Sequence, residues 1–188
     1  LLQFNDADCS SPSFGVDDVS LFLFYACQTD DNWSFHRSEY VDGVISQNQS
    51  TIYSLEDEPN YERISEPFVV YEPTMLQWRM YYSAYDGDSW AIRQATSIDL
   101  ENWTANELVS FADPDFDYAA PVVSEESDRY RMWYAVGQNL VWDIAYAESV
   151  DGENWVDYGV IFDLNWESVE PPRIPMQAYP TSAFRLEG

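Results

Sequence analysis

Tyr130-Arg131-Met132-Trp133-Tyr134, then Trp142-Asp143-Ile144-Ala145-Tyr146-Ala147-Glu148-Ser149, then Val150-Asp151-Gly152-Glu153-Asn154-Trp155, is the clearest of three copies of one pattern. Its Tyr134, Trp142 and Asp151 recur, at the same spacings of 8 and 9 residues, as Tyr82, Trp90, Asp99 and as Tyr25, Trp33, Asp42. The copies follow one another after 57 and then 52 residues, from Tyr25 to Tyr82 and from Tyr82 to Tyr134. A period near 50 marks solenoids, propellers or arrays of supersecondary units.

Working outward, each copy opens on an apolar segment marked by proline: Ser11-Pro12-Ser13-Phe14, Glu66-Pro67-Phe68-Val69-Val70 and Ala120-Pro121-Val122-Val123. Proline suits the first residue of a strand, where its missing N–H removes no ladder bond. A second segment, such as Leu21-Phe22-Leu23-Phe24-Tyr25 or Trp78-Arg79-Met80-Tyr81-Tyr82, is apolar on both faces and reads as a buried strand. A third alternates from Trp33, Trp90 or Trp142 and ends at Asp42-Gly43, Asp99-Leu100 or Asp151-Gly152, with a fourth beginning near Trp103 or Trp155. Four meandering strands per unit make a propeller blade. No window shows helical periodicity.

The expected fold is therefore all-β, a β-propeller of four-stranded antiparallel blades forming a single domain over residues 1–188. Blades fall at about 10–62, 63–112 and 117–165, and Ala178-Tyr179-Pro180-Thr181-Ser182-Ala183-Phe184, within 176–188, reads as the first strand of a fourth. Propellers usually close with about four to eight blades, and open sheet edges pair or aggregate. A further segment or another chain is expected to complete the ring, and Leu1 in place of Met points to processing or truncation upstream.

The 34 acidic and 8 basic residues, all of them Arg, give a formal charge of -26. Such a surface repels nucleic acid and anionic lipid, so neither is an expected partner. With 46% hydrophobic and 17% aromatic residues the chain can still build a core. The acidic excess suits an extracellular or high-salt setting, because the Debye length falls to about 3 Å at 1 M salt. The longest apolar run, Leu21 to Cys27, is strand-sized and not a membrane span.

If Asp17-Asp18 centre the first hairpin, the register carried outward sets residue 9 opposite residue 26 or nearby. Cys9 and Cys27 then come within disulfide reach, the alternative being two small buried thiols. No metal site is indicated: there are two Cys, and the one His, His36, sits inside a strand.

The pattern Pro-Val-Val, Tyr-Arg-Met-Trp-Tyr, Ile-Ala-Tyr-Ala-Glu-Ser-Val-Asp-Gly-Glu-Asn-Trp resembles the five-bladed propeller glycosidase superfamily of arabinanases, β-xylosidases, invertases and levansucrases. The likeness extends at blade level over residues 10–186. Sialidase Asp-boxes rank second, since Ser149 to Trp155 is one residue shorter than their Ser-x-Asp-x-Gly-x-Thr-Trp motif. In either family the Asp turn is architectural, which is the role expected of Asp42, Asp99 and Asp151.

The resemblance implies a substrate funnel at the start of each inner strand and in the loops between second and third strands. It also implies a carboxylate pair, because protonating the leaving oxygen and attacking the anomeric carbon are separate tasks. Of the residues preceding the four strand-opening prolines, Ser11, Glu66, Ala120 and Tyr179, only Glu66 is a carboxylate. Glu66 is thus the leading catalytic candidate, Asp117 or Glu170 its partner, and Arg173 a substrate clamp.

Trp33, Trp90 and Trp142, with the loop acids Asp31 and Asp88, are the candidate carbohydrate-binding residues. Aromatic faces suit the C–H face of a pyranose, and carboxylates accept from its hydroxyls. The competing readings are inter-blade packing for the Trp residues and solvated charge for the acids. No cofactor is required; calcium, an oxygen-ligated ion, is the one the loop acids leave open. Two functions stand: a glycosidase-like propeller that binds or hydrolyses a carbohydrate, or a non-catalytic glycan-binding or assembly module that has lost the acid pair.

Overall fold

The computed structural model describes residues 8–16, 19–30, 32–46, 49–106, 108–109, 111, 113–138 and 141–162. Asp31, Glu170, Arg173 and the expected fourth-blade strand lie outside them.

The described residues form three antiparallel sheets. The first holds β1 (Asp8–Val16), β2 (Leu21–Thr29) and β3 (Asn32–Val41), with the short β4 (Val44–Ile45) and β5 (Ser50–Ser54) both paired to β3. The second runs β6 (Arg63–Glu72), β7 (Gln77–Tyr85), β8 (Trp90–Ser97), β9 (Thr104–Ala105). The third runs β10 (Asp117–Glu125), β11 (Tyr130–Gln138), β12 (Val141–Ser149), β13 (Trp155–Phe162). β6 packs beside both β1 and β10, so the first strand of each sheet is the inner strand of a propeller blade.

The prolines do not open these strands. Pro12, Pro67 and Pro121 lie in mid-strand, each inside a bulge that shifts the register, between Ser10 and Ser13, Ser65 and Phe68, Ala119 and Val122. A bulge leaves one residue unpaired, so it accommodates a residue without an N–H as well as a strand start does. The preceding residues are left-handed, with φ of 54° at Ser11, 54° at Glu66 and 50° at Ala120. Such a conformation costs a non-glycine residue about 1–2 kcal/mol and is held here from neighbouring strands. The Ala120 N–H donates to Ser83 Oγ at 2.8 Å, and the Ser83 hydroxyl donates to Glu66 Oε2. Ser13 Oγ donates to the Pro67 carbonyl.

The bulge also sets the cysteine register. Val16 pairs with Leu21, and an unbroken ladder from there would set Cys9 opposite Gln28; the extra residue at Ser11-Pro12 moves it to Cys27. The two are joined by a disulfide with Cα atoms 4.1 Å apart.

Cores form between blades. Phe22, Phe24, Phe35 and Tyr53 of the first pack on Val69, Trp78, Met80 and Tyr82 of the second. Tyr81 and Ile92 of the second share a cluster with Val123, Met132 and Tyr134 of the third. The Asp turns fasten each blade to the one before it. Ser97-Ile98-Asp99-Leu100-Glu101-Asn102-Trp103 and Ser149 to Trp155 make the same bonds: the Asp carboxylate accepts from the N–H groups two and three residues on and from the Asn side chain. Leu100 and Gly152 both take positive φ, 63° and 72°. Glu101 then reaches Arg37 of the first blade at 3.9 Å and Glu153 reaches Arg79 of the second at 3.4 Å, while Tyr81 Oη donates to the Gly152 carbonyl at 2.8 Å. Asp42-Gly43 differs. There Val41 pairs directly with Val44 in a two-residue hairpin, with φ of 51° and 84° at the turn, and no Glu-Asn-Trp follows.

Candidate functional site

β8 spans eight residues from Trp90 to Ser97, so at about 3.3 Å per residue the Trp end lies roughly 25 Å from the Asp turn. At the Trp end the β2–β3, β7–β8 and β11–β12 hairpins meet the starts of β6 and β10 around an open pocket of about 590 Å³. Ligand pockets commonly measure about 300–1,000 Å³.

Trp33, Trp90 and Trp142 all line it, as do Asp88 and Asp117. Each Trp combines packing with lining: Trp142 is buried against Ala119, Ala120 and Ala135, Trp90 rests on that cluster, and Trp33 rests on the core between the first two blades. Asp117 Oδ1 accepts the Trp90 backbone N–H at 2.8 Å, tying the third blade's inner strand to the second blade's hairpin. The loop before Trp90 is shaped by Asp86, whose Oδ1 accepts the N–H groups of Ser89 and Asp88 at 2.9 and 3.0 Å. Those bonds hold the Asp86 carboxyl below the usual range and present Asp88 to the pocket.

Four further lining residues, Gln28, Glu62, Arg63 and Tyr85, were not singled out by sequence. The Arg63 guanidinium lies 4.3 Å from the centroid of Trp33 and 5.2 Å from that of Trp90, so it covers the indole faces turned towards it. Tyr85 and Trp90 are 5.2 Å apart. The repeat carries the signal for Arg63, which stands three residues before Glu66 as Asp117 stands before Ala120. Taking the prolines as strand starts put Ser11, Glu66 and Ala120 at the mouth, whereas the inner strands open three residues earlier, on Asp8, Arg63 and Asp117.

Glu66 is not among the lining residues of this pocket; its carboxylate receives the buried Ser83 hydroxyl. Of the three catalytic candidates, Asp117 lines the pocket, Glu66 does not, and Glu170 lies outside the described residues. Nor, among those residues, is any group of three or more His, Cys, Asp or Glu placed to hold a metal ion. His36, stacked on Tyr25 at 5.7 Å, is pushed down in pKa by burial. No helix of the described residues is long and apolar enough to cross a membrane.

No protein-family model matches the sequence, and no curated protein sequence does. Solved structures do. A family 117 glycoside hydrolase from the marine bacterium Zobellia galactanivorans matches with a TM-score of 0.68 at 11% identity, covering 81% of this chain and 56% of its own. The Bombyx mori GH32 β-fructofuranosidase matches at 0.62 and 15%, covering 82% and 37%. A putative glycosidase from Bacteroides thetaiotaomicron matches at 0.62 and 16%, covering 80% and 50%. The fold thus resembles that of glycoside-hydrolase propellers, and the chain spans about half the length of the structures it matches, or less.

Proposed function

We propose that this chain is the carbohydrate-binding part of a glycosidase-like propeller, with the 590 Å³ pocket as its binding site. One observation carries the reading: three Trp residues repeated at one position of the blade, and the acids Asp88 and Asp117, line a single concavity at the hairpin end. Aromatic surface supplies apolar contact area and the carboxylates supply acceptors for sugar hydroxyls. Titrating the protein with an oligosaccharide panel by calorimetry tests it. Binding weakened about ten-fold or more by Trp142→Ala or Asp88→Ala is expected, on the scale of one lost hot-spot contact. No binding to any sugar refutes it.

Hydrolysis is the second reading, favoured by the carboxylates of Asp8 and Asp117 at equivalent inner-strand positions on either side of Arg63. Asp8→Asn and Asp117→Asn variants that cleave aryl glycosides as fast as the parent would refute it.

A further blade is the proposed partner of the third. Glu126–Arg131, at 3.0 Å, repeats Glu72–Arg79, but Arg79 is covered by the Gly152 carbonyl and Glu153, whereas the Arg131 side chain, which also faces Glu148 at 3.6 Å, is 37% exposed. Sedimentation of the assembled protein is expected to show more than three blades, with Trp133 shielded from aqueous quenchers. A quencher-accessible Trp133 in the assembled protein counts against it. An extracellular or high-salt setting is proposed with this function, supported by the Cys9–Cys27 disulfide and the acidic surface.

A further inference from the structure

We infer that the pocket selects a glycan bearing an anionic group, a carboxylate or sulfate ester, and that Arg63 receives it. The inference rests on the carbohydrate reading above and deepens it.

Arginine is scarce in this protein and is elsewhere spent on carboxylates. Among the described residues, Arg37 pairs with Glu101, Arg79 with Glu72, Arg93 with Glu58, Arg129 with Asp128 and Arg131 with Glu126. Arg63 alone of the described arginines has no ion pair, although Glu62, Asp88 and Asp117 line the same pocket and acids outnumber bases 34 to 8. Its side chain is held instead by two indoles from different blades, at 4.3 and 5.2 Å. Stacking satisfies the face of a guanidinium and leaves its N–H edge, a planar fork matched to two oxygens of one anion, without an acceptor among the described residues. Holding the side chain in place beforehand lowers the ordering cost of that contact.

The surrounding charge adds selectivity. Glu62, Asp88 and Asp117 accept hydroxyl donors but repel an anion, so a charged substituent is tolerated only at Arg63. That fixes which way round a ligand lies. Arg63 lies over one face of Trp33 and one of Trp90, so a ligand approaching those faces meets the guanidinium first. Charge-assisted bonds from a guanidinium are among the stronger contacts available in water.

The test compares a galactotetraose whose terminal residue is a single galacturonate, the carboxyl-reduced neutral galactotetraose and the same tetrasaccharide bearing one terminal sulfate ester, titrated into the protein and into Arg63→Gln and Arg63→Lys variants of verified fold. The expected result is binding of a charged ligand about ten-fold or more tighter than of its neutral counterpart. That ratio should fall towards one in Arg63→Gln and recover in part in Arg63→Lys. Preference for uronate over sulfate identifies the flat carboxylate, and the reverse identifies the ester. Equal binding of charged and neutral forms, or a preference that survives Arg63→Gln, overturns the inference and leaves the carbohydrate reading standing. Absence of binding by every oligosaccharide, neutral ones included, overturns both.

Discussion

Asp151 shows how one carboxylate can build a turn. Burial pushes its pKa up, but the Asn154 side chain and the N–H groups of Asn154 and Glu153 outweigh that and hold it far below the usual range. A depressed folded pKa contributes stability that is fully present above the unfolded value, about 3.9, and is lost as pH falls through the folded one. In Asp151→Asn the group no longer titrates. Thermal melts from pH 7 to 2 should therefore show the variant less stable than the parent above about pH 5, with the gap closing at lower pH. Asp42, at the same spacing, differs in bonding: its turn is a plain hairpin. Sequence spacing located all three aspartates, whereas the trailing Glu-Asn-Trp is what separates a blade clasp from a hairpin.

Elements here are joined by polar groups that only the tertiary contacts reveal. Arg79 is 3% exposed beside a fully buried Glu72, donating to Glu72 Oε1 at 2.7 Å and to Gln94 Oε1 at 2.9 Å. Removing one member of such a pair leaves a buried charge uncompensated, so Arg79→Met is expected to cost about 3–5 kcal/mol in urea denaturation. Gly137 meets a different demand. A Cβ there would come 2.6 Å from Trp142 Cδ2 and 2.8 Å from the Val141 carbonyl, so Gly137→Ala must displace the indole that lines the pocket. Overpacking of this kind costs about 1–3 kcal/mol, and weaker ligand binding should accompany the lower melting temperature. Strand identities were legible because alternation and near-continuous apolar runs are local properties. The strand starts were not, since a proline marks a bulge as readily as an edge, and only the cross-strand register distinguishes the two.

For the whole molecule, a formal charge of -26 makes self-repulsion a standing cost that salt relieves. The melting temperature should rise as sodium chloride goes from 10 mM to 1 M, where the Debye length shortens from about 30 to 3 Å; a flat or falling trend would contradict this. The sequence by itself determined the all-β class, the repeat length, the four strands of the second and third blades and the Trp and Asp positions, because each follows from hydrophobic period and turn chemistry carried within a few residues. Only the tertiary structure decided which residues reach the mouth. A bulge of one residue moves Cys9 from Gln28 to Cys27, and the same device in the next two blades sets Arg63 and Asp117, not Glu66 and Ala120, at the inner-strand starts. Whether an arginine meets a carboxylate or two indoles depends on neighbours from other blades, which no local window of sequence contains.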